Sequence, residues 1–255
     1  MQCATVTLLA VLVGMCYPPG MGNMPPILHV SDLNRQILED LREAAASYRQ
    51  VAGYTSAFDV LQTDQDCCRT LASIRACKVE GLQAARFLRD RLLAKWSSAR
   101  SLSKQRMPAL GRALAKALEP LRTIPCSTQI WEAAPVTIER MVGAFQILDD
   151  CAGVGGTVAS KMLSALRPQL FLMWDMPIAR AYGFDTNAAG YRRFLQLMTP
   201  AAQKIRELWG SGNGDLEDYL KPEGRAWRPT LAKALDEWHW VRITRGIAFG
   251  STAKA

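Results

Sequence analysis

The chain has 255 residues, 49% of them apolar and 21% charged, and a formal net charge of +8. That balance excludes a disordered or fibrous chain, and the length allows one large domain or two lobes sharing a cleft. Seven irregularly spaced cysteines, no C-x-x-C pair and only two histidines (His29 and His239) argue against a disulfide framework, a structural zinc, a cysteine-ligated iron–sulfur cluster and a histidine-rich metal centre. No metal and no cofactor is expected, and this cysteine usage fits a reducing cytoplasm.

The run VTLLAVLVGM (6–15) is apolar. It is shorter than the roughly 20 residues of a membrane span, and no Lys or Arg precedes it as in a secretory signal. Residues 1–24 fit a weak signal, an apolar arm or sequence upstream of a start at Met21 or Met24. The last two are favoured, because a basic nucleic-acid-like body fits poorly with export. Residues 25–255 then form a single domain, expected to be monomeric and without a membrane partner.

Ser31 is a suitable N-cap for a helix carrying Leu33, Ile37, Leu38 and Leu41 at helical spacing. Cys67 to Trp96 keeps the same period, as one long helix or two. The Ser-rich joint SSARSLS (97–103) precedes a helix ending near Pro120, and Thr123 to Pro135 reads as irregular. Between Arg86 and Arg122 ten basic residues face only Asp90 and Glu119, a local net charge of +8 that leaves the rest of the chain neutral. Such a run is either a solvated helix face or a polyanion-binding surface.

Val136 to Leu148 is predicted as a helix. The sequence GVGGTVASKMLSALRPQLFLMWDMPIAR (153–180) follows. Gly153, Gly155 and Gly156 permit a tight turn and close backbone approach, and the start of the next helix offers N–H groups and a positive dipole end to a phosphate. Thr157 belongs to that turn, and Lys161 adds a charge one turn further in. Val158, Ala159, Met162, Leu163 and Leu166 form the core stripe, with Ser160, Lys161 and Ser164 off it. Asp175 then stands alone after an apolar segment, either as the N-cap of the helix beginning MPIARAYG or as a functional carboxylate. Thr186 to Gly210 reads as two helices broken at Pro200, SGNG (211–214) as a loop, and Pro229 to Thr244 as a terminal helix. No internal repeat and few alternating strand patterns occur, so the fold class is all-α.

The run 153–180 resembles the helix-hairpin-helix DNA glycosylases. The residues carrying the resemblance are Gly153-Val154-Gly155, Ala159, Asp175 at 22 residues after Gly153, and Arg180 five residues beyond. The resemblance covers about 28 residues and implies a two-lobed helical fold with a cleft between the lobes, DNA as partner, and Asp175 as the catalytic carboxylate. Cys151-Ala152 replaces the family's Leu-Pro, and Asp175 lies between Trp174 and Met176-Pro177 rather than before Thr-His. Thr157 stands where lyase-competent members carry a lysine, which implies a monofunctional enzyme. The run KMLSALRPQLFLMWDMPI also resembles a divergent branch acting on hypermodified bases of phage DNA.

Cleaving an N-glycosidic bond builds positive charge on the sugar, which a fixed carboxylate stabilises. The base must first leave the stack and enter a pocket. Trp174, Tyr182, Trp131 and Trp240 are candidate pocket walls, and Glu237 and His239 could read polar edges. Equally, aromatics at helical spacing are more often core, and His239 a satisfied structural histidine. Three functions remain open: a glycosylase for a modified or damaged base, a non-catalytic DNA-binding module, and a base-modifying transferase or pyrophosphorylase on the same fold.

Overall fold

A computed structural model describes residues 27–52, 57–93 and 102–247. The apolar run 6–15, most of the Ser-rich joint, Lys95 and Arg100 lie outside the described residues. Among those described, the protein is all-α, with α1 (Gln36–Ala52), α2 (Ala57–Thr63), α3 (Gln65–Arg75), α4 (Gly81–Arg91), α5 (Met107–Leu118), α6 (Pro135–Asp149), α7 (Gly155–Leu166), α8 (Met176–Ala181), α9 (Ala188–Trp209), α10 (Leu216–Tyr219) and α11 (Leu231–His239). None of these helices is long and apolar enough to cross a membrane.

Local sequence explains most boundaries. Asp64, Asn187, Asp215 and Thr230 each accept a backbone N–H at the start of a helix, satisfying a donor that the helix itself cannot. The first helix departs from the sequence reading. Residues Val30–Asp32 form a 3-10 turn, and Asn34, not Ser31, accepts the Gln36 N–H at 2.8 Å. The 67–96 stretch divides at 76–80, where Cys77 has a positive φ of 53°. α9 runs unbroken through Pro200, correcting the predicted break. Pro200 lies on the exposed side of α9, as does Gln196, whose carbonyl loses its helical donor. The C-terminal helix continues past His239 as a π-helical segment, Trp240–Thr244.

The helices pack in chain-order pairs, α4 on α5, α5 on α6 and α6 on α7, while α1 packs on α11 and α9 on α6. α7 is buried on more than the predicted stripe, since Ser160 and Ser164 are buried too. Every residue of α11 from Leu231 to His239 is buried, including Lys233, Asp236, Glu237 and His239. Burying charge is costly unless it is paired, and here Lys233, Asp236, Glu237 and Arg225 each have an opposite charge beside them. Lys233 Nζ lies 2.6 Å from Asp236 and 3.6 Å from Glu237. Glu237 takes two hydrogen bonds from Arg225, at 2.8 and 3.0 Å, and Arg225 also donates to Asp59 at 2.8 Å. One ionic chain thus joins α2, the 222–227 loop and α11.

Removing Arg225 strands two buried carboxylates. Arg225→Ala is expected to cost about 3–5 kcal/mol in urea unfolding, whereas Arg228→Ala, whose partners Asp215 and Asp218 are exposed, leaves the midpoint essentially unchanged. Equal shifts for the two variants would show that the buried chain does not hold these elements together.

Candidate functional site

Gly153 and Gly155 both adopt positive φ, 86° and 66°, a conformation that strains any residue with a Cβ. They turn the chain from α6 into α7 across residues 150–155, with Val154 N–H bonded to Cys151 O at 2.9 Å. Gly156 serves packing instead. A Cβ there would stand 2.5 Å from the Thr186 carbonyl oxygen, so the turn before α9 rests directly on this backbone. α7 has no side-chain N-cap, which leaves its first turn reliant on other partners. Gly155 is exposed and Thr157 half-buried at this end.

Basic groups flank the turn. Arg106 and Arg112, both exposed, are close enough to draw down the pKa of the Cys151 thiol, which burial otherwise pushes up. Arg86, Arg91, Lys104 and Lys116 on α4, α5 and the turn before α5 are also exposed, while Arg89 pairs with Asp90.

The path from α7 to Asp175 explains how the acid is held. Residues 167–174 are buried yet not helical, so their backbone groups need partners from elsewhere. The Gln169 carbonyl accepts from Ile130 N–H at 2.9 Å, the Pro168 carbonyl from Thr230 Oγ1 at 2.6 Å, and the Leu172 carbonyl from the Tyr191 hydroxyl at 2.8 Å. Arg167 closes the near end, donating to the carbonyls of Leu121, Ile124 and Pro125. The last link is Ser160, whose Oγ accepts Trp174 N–H at 2.9 Å and lies 3.0 Å from the Trp174 carbonyl, within reach to donate. One hydroxyl on the hairpin helix therefore fixes the peptide next to Asp175.

Asp175 is half-buried and caps α8, its Oδ1 accepting Ile178 N–H at 3.0 Å. Burial raises its pKa; the Ile178 N–H lowers it, the nearby Asp236 raises it and Lys161 lowers it, for a net shift upward. Lys161 is its electrostatic counterpart. Burial lowers the Lys161 pKa, against the attraction of Asp175 and Asp236. Asp175, Lys161 and Asp236 are thus within electrostatic range of one another, with the hairpin one to two turns from Lys161 along α7.

Of the remaining residues named from the sequence, Trp174, Tyr182 and His239 pack around Phe194. Trp174 is fully buried, with ring centroids 4.7 Å from Phe194 and 6.0 Å from Tyr191. The Tyr182 hydroxyl accepts Leu28 N–H at 3.1 Å and lies 2.8 Å from His239 Nε2. His239 Nδ1 faces the Leu235 carbonyl at 2.6 Å, so Nδ1 carries the proton and Nε2 accepts from Tyr182. Both carboxylate oxygens of Glu237 accept from Arg225. In this arrangement the polar atoms of Glu237 and His239 face protein partners. Trp131 sits half-buried on a 3-10 turn (Ile130–Glu132) that packs on α9. Trp240 is half-buried edge-on to Tyr48 at 5.0 Å, and its π-helical segment packs on α8. π-helical turns occur often at functional sites.

The match to known families falls on this region. Residues 79–212 match DUF6308, a family of unknown function. The chain belongs to that family. The DUF6308 segment holds α4 to α9 and with them the basic helices, the hairpin, Ser160, Lys161 and Asp175, whereas α11 with Asp236 lies beyond it. No curated protein and no solved structure matches the chain. Among the described residues no group of three or more His, Cys, Asp and Glu side chains could hold a metal ion.

Sequence reasoning passed over Ser160 and Asp236. Ser160 was legible only as a small polar residue off the core stripe, and nothing local announces that its partner lies 14 residues away. Ser160→Ala would orphan buried backbone groups of Trp174, and a loss of about 1–3 kcal/mol is expected by chemical denaturation; an unchanged midpoint would remove the clamp from the account.

His239 gives a second expectation. Full burial lowers its pKa to about 4, against the hydrogen bond to Leu235 and the charge of Asp236. The unfolded chain binds this proton near pH 6.5 and the folded one does not, so the contribution is complete above pH 6.5 and is lost as pH falls toward 4. The wild type should lose about 3 kcal/mol more over that window than His239→Gln. Parallel stability curves for the two would contradict the buried neutral ring.

Proposed function

We propose that this protein is a monofunctional DNA glycosylase that extrudes a modified or damaged base and hydrolyses its bond to the sugar. The substrate class includes the bulky hypermodified pyrimidines of phage DNA, and the role that follows is genome defence or repair. The observation that carries the reading is the Ser160 clamp, which ties the peptide before Asp175 to the same helix that opens with the glycine hairpin.

The chemistry follows from these parts. Phosphate oxygens lie against the exposed hairpin and the first turn of α7, while Arg106, Arg112 and neighbouring basic side chains hold the flanking backbone. As the C1′–nitrogen bond breaks, its electron pair leaves with the base and positive charge grows on the sugar. The Asp175 carboxylate faces that charge and stabilises it. Its Oδ1 is held by the α8 cap, which fixes the group's orientation. Water adds its oxygen to C1′, its proton passes to the departing base, and an abasic sugar remains. Thr157 offers no amine for a Schiff base where lyase-competent members carry a lysine, and Lys161 lies a further turn along α7.

Asp175→Asn separates charge from shape, since asparagine caps a helix as well as aspartate does. Base release from modified DNA, followed as abasic sites and free base by mass spectrometry, should fall by at least about 100-fold, the scale of losing one transition-state electrostatic contact. DNA binding should persist. Because the Asp175 pKa is raised, wild-type release should decline on acidification at a pH above the ordinary aspartate value of about 4. Full release by Asp175→Asn would sink the assignment. DNA binding without release from any modified substrate would favour a binding module, and a pyrophosphate-bearing product would favour the transferase.

A further inference from the structure

From Val158 to Trp174 the chain is buried at every position except Lys161, which is half-buried. Asp175, the next residue after that stretch, reaches the surface in the same partial way. The Ser160 clamp brings these two places together, since the Ser160 hydroxyl lies 3.0 Å from the Trp174 carbonyl and 2.9 Å from the Trp174 N–H. Lys161 and Asp175 are the chain neighbours of that hydrogen-bonded pair, and their charges lie within electrostatic reach of each other. Thr157, one turn before Lys161 on the same face of α7, is half-buried as well. An accessible strip thus runs from the hairpin along one helix face to Lys161, with Asp175 beside its end.

The two groups suit opposite tasks. The Asp175 carboxylate is oriented by the Ile178 N–H, and it favours any positive charge that grows in front of it. Lys161 carries a proton to give: burial lowers its pKa, Asp175 and Asp236 oppose that, and Lys233 adds to it. When the bond between sugar and base breaks, the base takes the electron pair and needs a proton, while the sugar becomes positive. A fixed cation beside the sugar would oppose the second change. A cation that gives its proton to the base does not, because the positive charge passes from the ammonium to the sugar and the carboxylate faces one positive charge before and after.

We propose that Lys161 is the general acid of this site, its Nζ giving a proton to the ring carbonyl oxygen next to the breaking C1′–nitrogen bond of a pyrimidine. The electron pair of that bond leaves with the base, water adds its oxygen to C1′, and the proton that water sheds returns to the Lys161 amine and restores the ammonium. This role rests on the glycosylase reading, and it assigns Lys161 to the base rather than to a DNA phosphate.

Release from duplex oligonucleotides carrying 5-hydroxymethyluracil or 5-formyluracil tests it. The formyl group withdraws electrons and stabilises the departing anion, so the second base needs less help from an acid. Lys161→Met, close to lysine in length, should slow release of 5-hydroxymethyluracil at least about 100-fold and that of 5-formyluracil by less than about tenfold. Lys161→Arg should show the same pattern, because a guanidinium keeps the charge and holds its proton. Asp175→Asn should slow both bases alike. All three variants should bind DNA as the wild type does, with circular dichroism to confirm folding. Equal slowing of both bases by Lys161→Met, or DNA binding and release lost in Lys161→Met and restored in Lys161→Arg, would overturn the proposal, the second in favour of a phosphate contact. Wild-type rates in Lys161→Met alongside slow release by Asp175→Asn would overturn it and leave the glycosylase reading standing. No release of either base by the wild type would overturn both.

Discussion

A buried stretch of backbone without helical hydrogen bonds, residues 167–174, is the constraint around which the candidate site is organised. Such a segment is unstable unless each peptide group finds a partner, because an orphaned donor or acceptor forfeits its hydration. The partners come from separate elements: Ile130 before α6, Ser160 on α7, Tyr191 on α9 and Thr230 at the start of α11. Each contact ties the segment to a different helix. The acid at its end is consequently located by four elements at once, and its position is set by the core rather than by a surface loop.

Next to that segment lies α11, whose burial imposes a second requirement. A helix that places Lys233, Asp236 and Glu237 inside the protein needs counter-charges from its neighbours, and Arg225 and Asp59 supply them. Asp236 acts in two directions. It pairs with Lys233 at 2.6 Å, and its charge also raises the Asp175 pKa. The ionic chain therefore runs from Asp59 on α2 to Asp236, the member whose charge is felt at Asp175.

The sequence showed the helical class and most helix positions because amphipathic period and caps are local signals. Asn187 and Thr230 cap helices that begin within two residues of the predicted starts at Thr186 and Pro229. Local rules misplaced the first cap, since Asn34 competes with Ser31 only three residues away, and they broke α9 at Pro200 because propensity ignores the packing that carries a helix through a proline. The hairpin glycines were legible, though Gly156 has a packing reason, the Thr186 carbonyl, that sequence does not disclose. The candidate site was half legible. Asp175 and its cap were visible from residue type and spacing, whereas Ser160, Asp236 and the Asp59–Arg225–Glu237 network depend on partners up to 166 residues apart. The same distance explains Glu237 and His239: residue type made them candidates, and only the tertiary structure shows Arg225 and Tyr182 already engaging them.

Charge is divided across the molecule in a way that restricts any nucleic acid it meets. Six of the eight net positive charges sit on α4, α5 and the turn before α5, and Arg106 and Arg112 among them lie within electrostatic reach of Cys151 beside the hairpin. In the proposed glycosylase reading a phosphate backbone gains by lying along this surface, with exposed contacts weakening as salt rises. The buried charges of α11 are already paired within the protein, so the basic face is where a polyanion is drawn before any contact with a base is made.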